Sequence, residues 1–144
     1  FEVPSVSTEA QGRFELRIRD SELAYTLTFS GLEGDVAQAH IHFGQTGVNG
    51  GITAWLCEGS VQGPTGFDTA CPQSGTVTGT ITADDVLATP SPSAAQGISA
   101  GEFDEFVRAI RAGFTYANVH SSQFPGGEIR TQIKARGGGN DDDD

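Results

Sequence analysis

The chain has 144 residues, of which 19% are charged, and its formal net charge is −11 at pH 7. This length suits a single domain with a substantial core, and the negative charge argues against nucleic acid as a partner, because phosphate binding requires clustered Lys and Arg. No apolar run reaches the roughly 18 residues that a transmembrane helix needs, and the 20 glycines favour a β-rich fold with many turns.

The first half of the chain contains segments in which apolar and polar residues alternate. Residues 12–19 and 23–29 each place their apolar side chains in phase, so each predicts a strand with one buried face. Residues 39–44, 52–57 and 74–81 follow as further strands, separated by turns that contain glycine.

One helix is predicted near residues 100–112. Ser99 and Glu102 have the spacing of a capping box, and Gly113 lies where a helix C-terminus favours glycine. The apolar side chains between them recur at helical spacing, at Phe103, Phe106, Val107 and Ile110. Thr82 indicates a second, shorter helical turn before Val86.

Two more strands, at residues 116–120 and 128–133, complete the predicted elements. Seven to eight short strands with one inserted helix predict an all-β fold, a Greek-key β-sandwich or barrel. We expect one domain over residues 1–136 and a flexible Gly- and Asp-rich tail over residues 137–144, to which we assign no function.

Cys57 and Cys71 are the only cysteines, and they flank a loop that is rich in glycine. We predict that they form a disulfide bond, the alternative being two buried free thiols. A disulfide indicates an extracytoplasmic protein, secreted or periplasmic. The first residue, Phe1, fits a processed N-terminus, since no Met and no basic or apolar leader region precedes the first strand.

All three histidines lie in two of the predicted strands. His40 and His42 share one face of the first strand, and His120 shares a face of the second with Tyr116 and Asn118. Two imidazoles at i and i+2 and a third on another strand supply much of the coordination shell of a transition metal. The alternative is that these are polar strand residues with a purely structural role.

Four ordered segments resemble the CHRD family, named for the repeated domain of chordin. They are residues 39–44 (Ala-His-Ile-His-Phe-Gly), 75–81, 116–120 and 126–130, and the resemblance runs from about residue 14 to residue 133. CHRD domains occur in secreted proteins, often bacterial. The resemblance implies an immunoglobulin-like or superoxide-dismutase-like β-sandwich.

A more distant similarity concerns metal chemistry. His40 to Gly44 resembles the strand of Cu,Zn superoxide dismutase that supplies two copper ligands, and His120 resembles a ligand on a late strand of that family. Arg130 lies where that family keeps an anion-guiding arginine, although an exposed strand arginine is the alternative. No histidine lies between His42 and His120, so a histidine-bridged two-metal site cannot form here.

The sequence therefore predicts a mononuclear site in which His40, His42 and His120 bind copper, with zinc as the second choice. Such a site would bind superoxide or another small anion, with dismutase-like redox activity that is weak if present at all. Two other interpretations stay open: a non-catalytic extracellular adhesion or assembly module, and a zinc ion that serves stability alone. The oligomeric state cannot be predicted.

Overall fold

The computed structural model describes residue 2 and residues 5–88, 96–134 and 142–143. Seven strands of four or more residues within these ranges form two antiparallel sheets. The strands are β1 (Gln11–Ile18), β2 (Leu23–Ser30), β3 (Val36–Phe43), β4 (Gly51–Glu58), β5 (Gly75–Ile81), β6 (Thr115–Ser121) and β7 (Ile129–Gln132). The first sheet has the order β5-β2-β1 and the second has the order β4-β3-β6-β7. The predicted all-β sandwich is confirmed.

The core lies between the two sheets, on the faces that the alternation of apolar residues predicts. In the first sheet Phe14 pairs with Leu27, and both side chains are 4% exposed. In the second sheet Ile41 of β3 pairs with Ala117 of β6, and both are buried in the same core. The opposite face of the second sheet carries the histidines.

The inserted helix α1 spans Phe103–Arg111 and is shorter than predicted at its N-terminal end. The Ser99 backbone N–H donates to a Glu102 carboxylate oxygen at 2.7 Å, which is one half of the predicted capping box. Gly113 follows the helix with a φ of +83°, the left-handed conformation that favours glycine at this position. The predicted second turn is a 3₁₀-helix, Ala83–Asp85.

The tail is described only in part. A short strand β8 (Asp142–Asp143) pairs with Leu16 and Arg17 of β1. Residues 135–141 and residue 144 lie outside the described residues, so the division into a domain and a flexible tail stays a prediction. Across the described ranges, no helix is long and apolar enough to cross a membrane.

Candidate metal centre

The two central strands of the second sheet bring the three imidazoles together. His40 and His42 project from β3, and His120 projects from the neighbouring β6, where Gln38 is its cross-strand partner. One nitrogen from each ring lies within 4.8 Å of the others, so the cluster could hold a metal ion. This convergence agrees with the strand pattern, because residues two apart on adjacent strands share a face.

The face that carries the histidines is covered by loops and is not open to solvent. The side chain of His40 is fully buried, and those of His42 and His120 are each 7% exposed. The alternation of apolar residues alone would predict a solvated face opposite Ile41 and Val119, and the structure shows a buried one. Truncation of the buried His42 to alanine would leave a cavity, so that substitution should destabilise the fold.

Each imidazole is oriented by a hydrogen bond from one of its nitrogens. His42 Nδ1 lies 2.9 Å from the Gly50 carbonyl oxygen, and His120 Nδ1 lies 2.9 Å from the Pro125 carbonyl oxygen. His40 Nε2 lies 2.7 Å from the Gln38 side-chain oxygen. Since all three partners only accept, each of these nitrogens carries the hydrogen. The nitrogens left without a hydrogen are then His40 Nδ1 and His42 Nε2, whereas His120 Nε2 contacts the Asn118 side chain.

Two of the inward-facing imidazole nitrogens are candidates for metal binding. His40 Nδ1 and His42 Nε2 are buried without a hydrogen-bond partner. A buried polar atom without a partner costs roughly 1–3 kcal/mol, and bound ions are one explanation for such atoms. An oriented second nitrogen is also the usual arrangement of ligand histidines.

Burial keeps the imidazoles neutral. It lowers the pKa of His40 to about 2 and that of His42 to about 4, and the neighbouring His120 acts in the same direction on both. Burial also lowers the pKa of His120, although its hydrogen bond to Pro125 opposes the shift. Neutral imidazole is the form that binds a metal, so no proton competes for these nitrogens at pH 7.

Asn118 occupies the space next to the third ligand nitrogen. Its side-chain amide lies 3.1 Å from His120 Nε2, and the residue is 4% exposed. The atom at this contact is the Asn118 side-chain oxygen, Oδ1, and the same amide also hydrogen-bonds the Glu2 carboxylate. Asn118 therefore contacts a nitrogen that a bound metal would otherwise occupy. The sequence places Asn118 on the same face as His120 but does not indicate this role.

Arg130 is part of a stack of three side chains that ends at His42. The Arg130 guanidinium carbon lies 3.4 Å from the centroid of the Tyr116 ring, and that ring stacks on His42 at 4.7 Å between centroids. The guanidinium also donates three hydrogen bonds to oxygens of residues 45–49. Arg130 is 9% exposed, so it is not the exposed strand arginine of the alternative interpretation. Its contacts hold the loop that leads to Gly50.

A disulfide-closed loop covers the other side of the cluster. Cys57 and Cys71 are bonded, with their Cα atoms 5.0 Å apart, which confirms the predicted pairing. The loop between them places Phe67 against Trp55 at 6.2 Å between ring centroids. Trp55 in turn contacts His40 at 4.3 Å between ring centroids. The disulfide loop thus reaches the histidine cluster through two aromatic rings.

The family model for the CHRD domain matches residues 1–133, a range that contains all seven long strands and all three histidines. The chain belongs to the CHRD domain family. Comparisons with curated proteins and with solved structures gave no match. CHRD domains occur in extracellular proteins, and the disulfide of this CHRD domain fits that location.

Proposed function

We propose that this CHRD domain binds one copper ion in an extracytoplasmic compartment through His40 Nδ1, His42 Nε2 and His120 Nε2. The observation that carries the proposal is the buried set of three neutral, oriented imidazoles, in which two ligand nitrogens have no hydrogen-bond partner. A bound metal would satisfy both of these nitrogens.

The donor set favours copper over the other divalent metals. The cluster among the described residues consists of imidazoles alone, with no thiolate and no carboxylate. Nitrogen ligands bind copper(II) more tightly than they bind any other divalent first-row metal, and imidazole is a common copper ligand. Zinc takes four ligands in most structural sites, so three histidines alone would leave it one ligand short.

Copper supplies one-electron redox chemistry, which makes superoxide a candidate substrate. We expect only slow dismutation, because the net charge of −11 repels an anion and the Arg130 hydrogen bonds are committed to residues 45–49. Arg130 still supplies positive charge next to Tyr116. Arg130→Ala should therefore lower whatever copper-dependent rate the wild-type protein has, as measured by pulse radiolysis.

The test of copper binding is a titration of protein purified without a histidine tag. We expect one copper per chain and an electron paramagnetic resonance spectrum with nitrogen hyperfine structure. His42→Gln and His120→Gln keep most of the side-chain volume but remove the ligand nitrogens. Each variant should weaken copper binding more than the loss of a residue that only hydrogen-bonds a ligand, which typically costs roughly 10- to 100-fold in affinity.

The acidic tail provides the control, because it is the most concentrated alternative site for a cation. A variant with Asp141, Asp142, Asp143 and Asp144 replaced by Asn should bind copper as the wild-type protein does. Unchanged binding in both histidine variants, or loss of binding in the tail variant, would contradict the proposal. Tighter binding of zinc than of copper would favour a structural zinc site.

A further inference from the structure

Strand β5 (Gly75–Ile81) forms one edge of the first sheet. Its only strand partner within the described ranges is β2. In an antiparallel ladder, every second residue directs its backbone N–H and C=O groups away from a given neighbouring strand. Half of the backbone hydrogen-bonding groups of β5 therefore point away from β2, and no backbone hydrogen bond from the other described residues reaches them.

The other edges of the two sheets are protected. Along β4, the Leu87 N–H donates to the Thr53 carbonyl oxygen at 2.8 Å. At the end of β4, the Glu58 N–H donates to the Thr69 carbonyl oxygen in the disulfide loop, also at 2.8 Å. Strand β7 has only four residues, one of them Arg130, and β1 pairs with the short β8. Coverage, short length and charge are common means by which an edge strand avoids pairing with another chain.

Strand β5 has none of these protective features. Its sequence, Gly-Thr-Val-Thr-Gly-Thr-Ile, contains no charged residue and no proline. Its pairing with β2 runs from residue 75 to residue 81 without a bulge. Thr76, Thr78 and Thr80 are exposed, whereas Val77 and Ile81 are buried in the core. In a chain with a net charge of −11, this uncharged edge is a place where a second copy can approach without bringing like charges together.

The sequence of β5 is complementary to itself in an antiparallel arrangement. A two-fold axis at Thr78 would place Thr78 opposite Thr78 of the second copy, and Thr76 opposite Thr80 of the second copy. On the inner face, Val77 would lie opposite Gly79 of the second copy. Paired threonines stabilise neighbouring strands, and the branched Val77 side chain would meet a position without a side chain.

The charges next to β5 favour the same arrangement. Asp84 and Asp85 follow the strand within the 3₁₀-helix. Antiparallel pairing would place this end of the strand beside residues 71–74 of the second copy, which carry no charge. Parallel pairing would instead bring all four aspartates to one end. The remaining repulsion comes from the net charge of the two copies, and salt screens it.

We propose that two copies of this chain associate through antiparallel pairing of their β5 strands, which joins their first sheets into one continuous sheet. The dimer is closed, because each copy contributes the same edge and that edge is then used. A single strand pair makes a small interface, so the association is reversible and requires a high protein concentration. The histidine cluster lies on the second sheet, so this inference does not depend on metal binding.

The test is sedimentation equilibrium of the full chain from micromolar to millimolar concentration. The apparent mass should rise from that of the 15.0 kDa monomer toward twice that value and no further. Added salt should tighten the association, because it screens the repulsion between two acidic copies. Amide chemical shifts of the ¹⁵N-labelled protein should change with concentration mainly at residues 74–82. A protein that stays monomeric at millimolar concentration, or grows beyond a dimer, would overturn the proposal.

Substitutions at the two-fold axis test the register. Thr78→Lys and Thr78→Asp each place two like charges opposite one another, so each variant alone should weaken self-association roughly fivefold. An equimolar mixture of the two variants should associate at least as tightly as the wild-type protein, because opposite charges then meet. A variant that failed to fold could not regain association on mixing.

The matched control is Thr131→Lys, which makes the same change of charge at an exposed position of β7, the edge strand of the other sheet. It should leave the dissociation constant of the dimer within twofold of the wild-type value. Equal weakening by Thr131→Lys, or no gain in the mixture over the separate Thr78 variants, would contradict pairing through β5.

Discussion

The metal-free protein should lose stability as the pH falls from 7.5 to 5, because its buried imidazoles cannot take up protons without unfolding. In the unfolded chain a histidine has a pKa of about 6.5. In the folded protein the pKa of His40 is lowered to about 2 and that of His42 to about 4. The unfolded state therefore binds more protons throughout this interval, and acid favours unfolding.

The size of the effect depends mainly on the unfolded state. At pH 5 the protonated form of an unfolded histidine exceeds the neutral form about 30-fold. This proton uptake favours unfolding by about 2 kcal/mol per histidine that stays neutral in the folded protein. Neither His40 nor His42 titrates in the folded protein above pH 5, so each should contribute this full amount. This part of the folded protein's stability is fully present above the unfolded pKa of about 6.5 and is lost progressively as the pH falls below it. His120 acts in the same direction.

Protonation of Glu2 opposes this loss of stability at low pH. The Glu2 carboxyl group must therefore be removed before the loss can be measured. Its pKa is raised to about 7 by burial, so the folded protein gains a proton there between pH 7 and pH 5 while the unfolded chain does not. That uptake stabilises the folded state by about 2.5 kcal/mol at pH 5. We expect the free energy of unfolding to fall by about 4 kcal/mol in Glu2→Gln and by clearly less in the wild-type protein.

Urea unfolding of chelator-treated protein at a series of pH values measures these differences, with Trp55, the single tryptophan, as the fluorescent probe. Adding His42→Gln to the Glu2→Gln variant should reduce the fall by about 2 kcal/mol. A change below 1 kcal/mol in the Glu2→Gln variant between pH 7.5 and pH 5 would refute the reasoning. It would show that the imidazoles reach solvent and titrate normally.

Three other predictions concern the surroundings of the cluster. Asn118→Ala should raise copper affinity, because the wild-type amide must leave His120 Nε2 before the metal binds. Competition with a chelator measures the affinity, and a lower value would instead identify the amide as a ligand. Replacing Cys57 and Cys71 by serine should lower the free energy of unfolding by roughly 3 kcal/mol, because the unfolded chain is then no longer constrained by the loop. Denaturant titration measures this change, and an unchanged midpoint would contradict it. Copper(II) should quench Trp55 fluorescence strongly and zinc should not, since the indole contacts His40; equal responses to both metals would place the bound ion elsewhere.

Local alternation predicts the sheets and the shared face of the histidines well. A period of two places His40 and His42 on one side of β3 and Ile41 on the other, whatever the rest of the chain does. The disulfide could be predicted as well, since Cys57 and Cys71 are the only cysteines. The sequence predicts the helix over residues 100–112, whereas in the structure it spans only Phe103–Arg111.

The covering of the histidine face could not be predicted in the same way. Residues 45–50 have no periodic pattern, and their position depends on Arg130, 80 or more residues away in sequence. Likewise, the contact between Asn118 and His120 depends on side-chain rotamers and not on strand register. A pattern indicates which face a residue occupies, but it carries no information about which distant segment packs on that face.

The loop closed by Cys57 and Cys71 links the histidine cluster to the redox state of the surroundings. Reduction of the bond would release the segment that holds Phe67 on Trp55, and with it the aromatic cover of His40. We expect the reduced protein to exchange copper faster than the oxidised protein, because the imidazoles would then reach solvent. If the proposed copper site is occupied, such a domain would retain the metal in an oxidising compartment and release it in a reducing one.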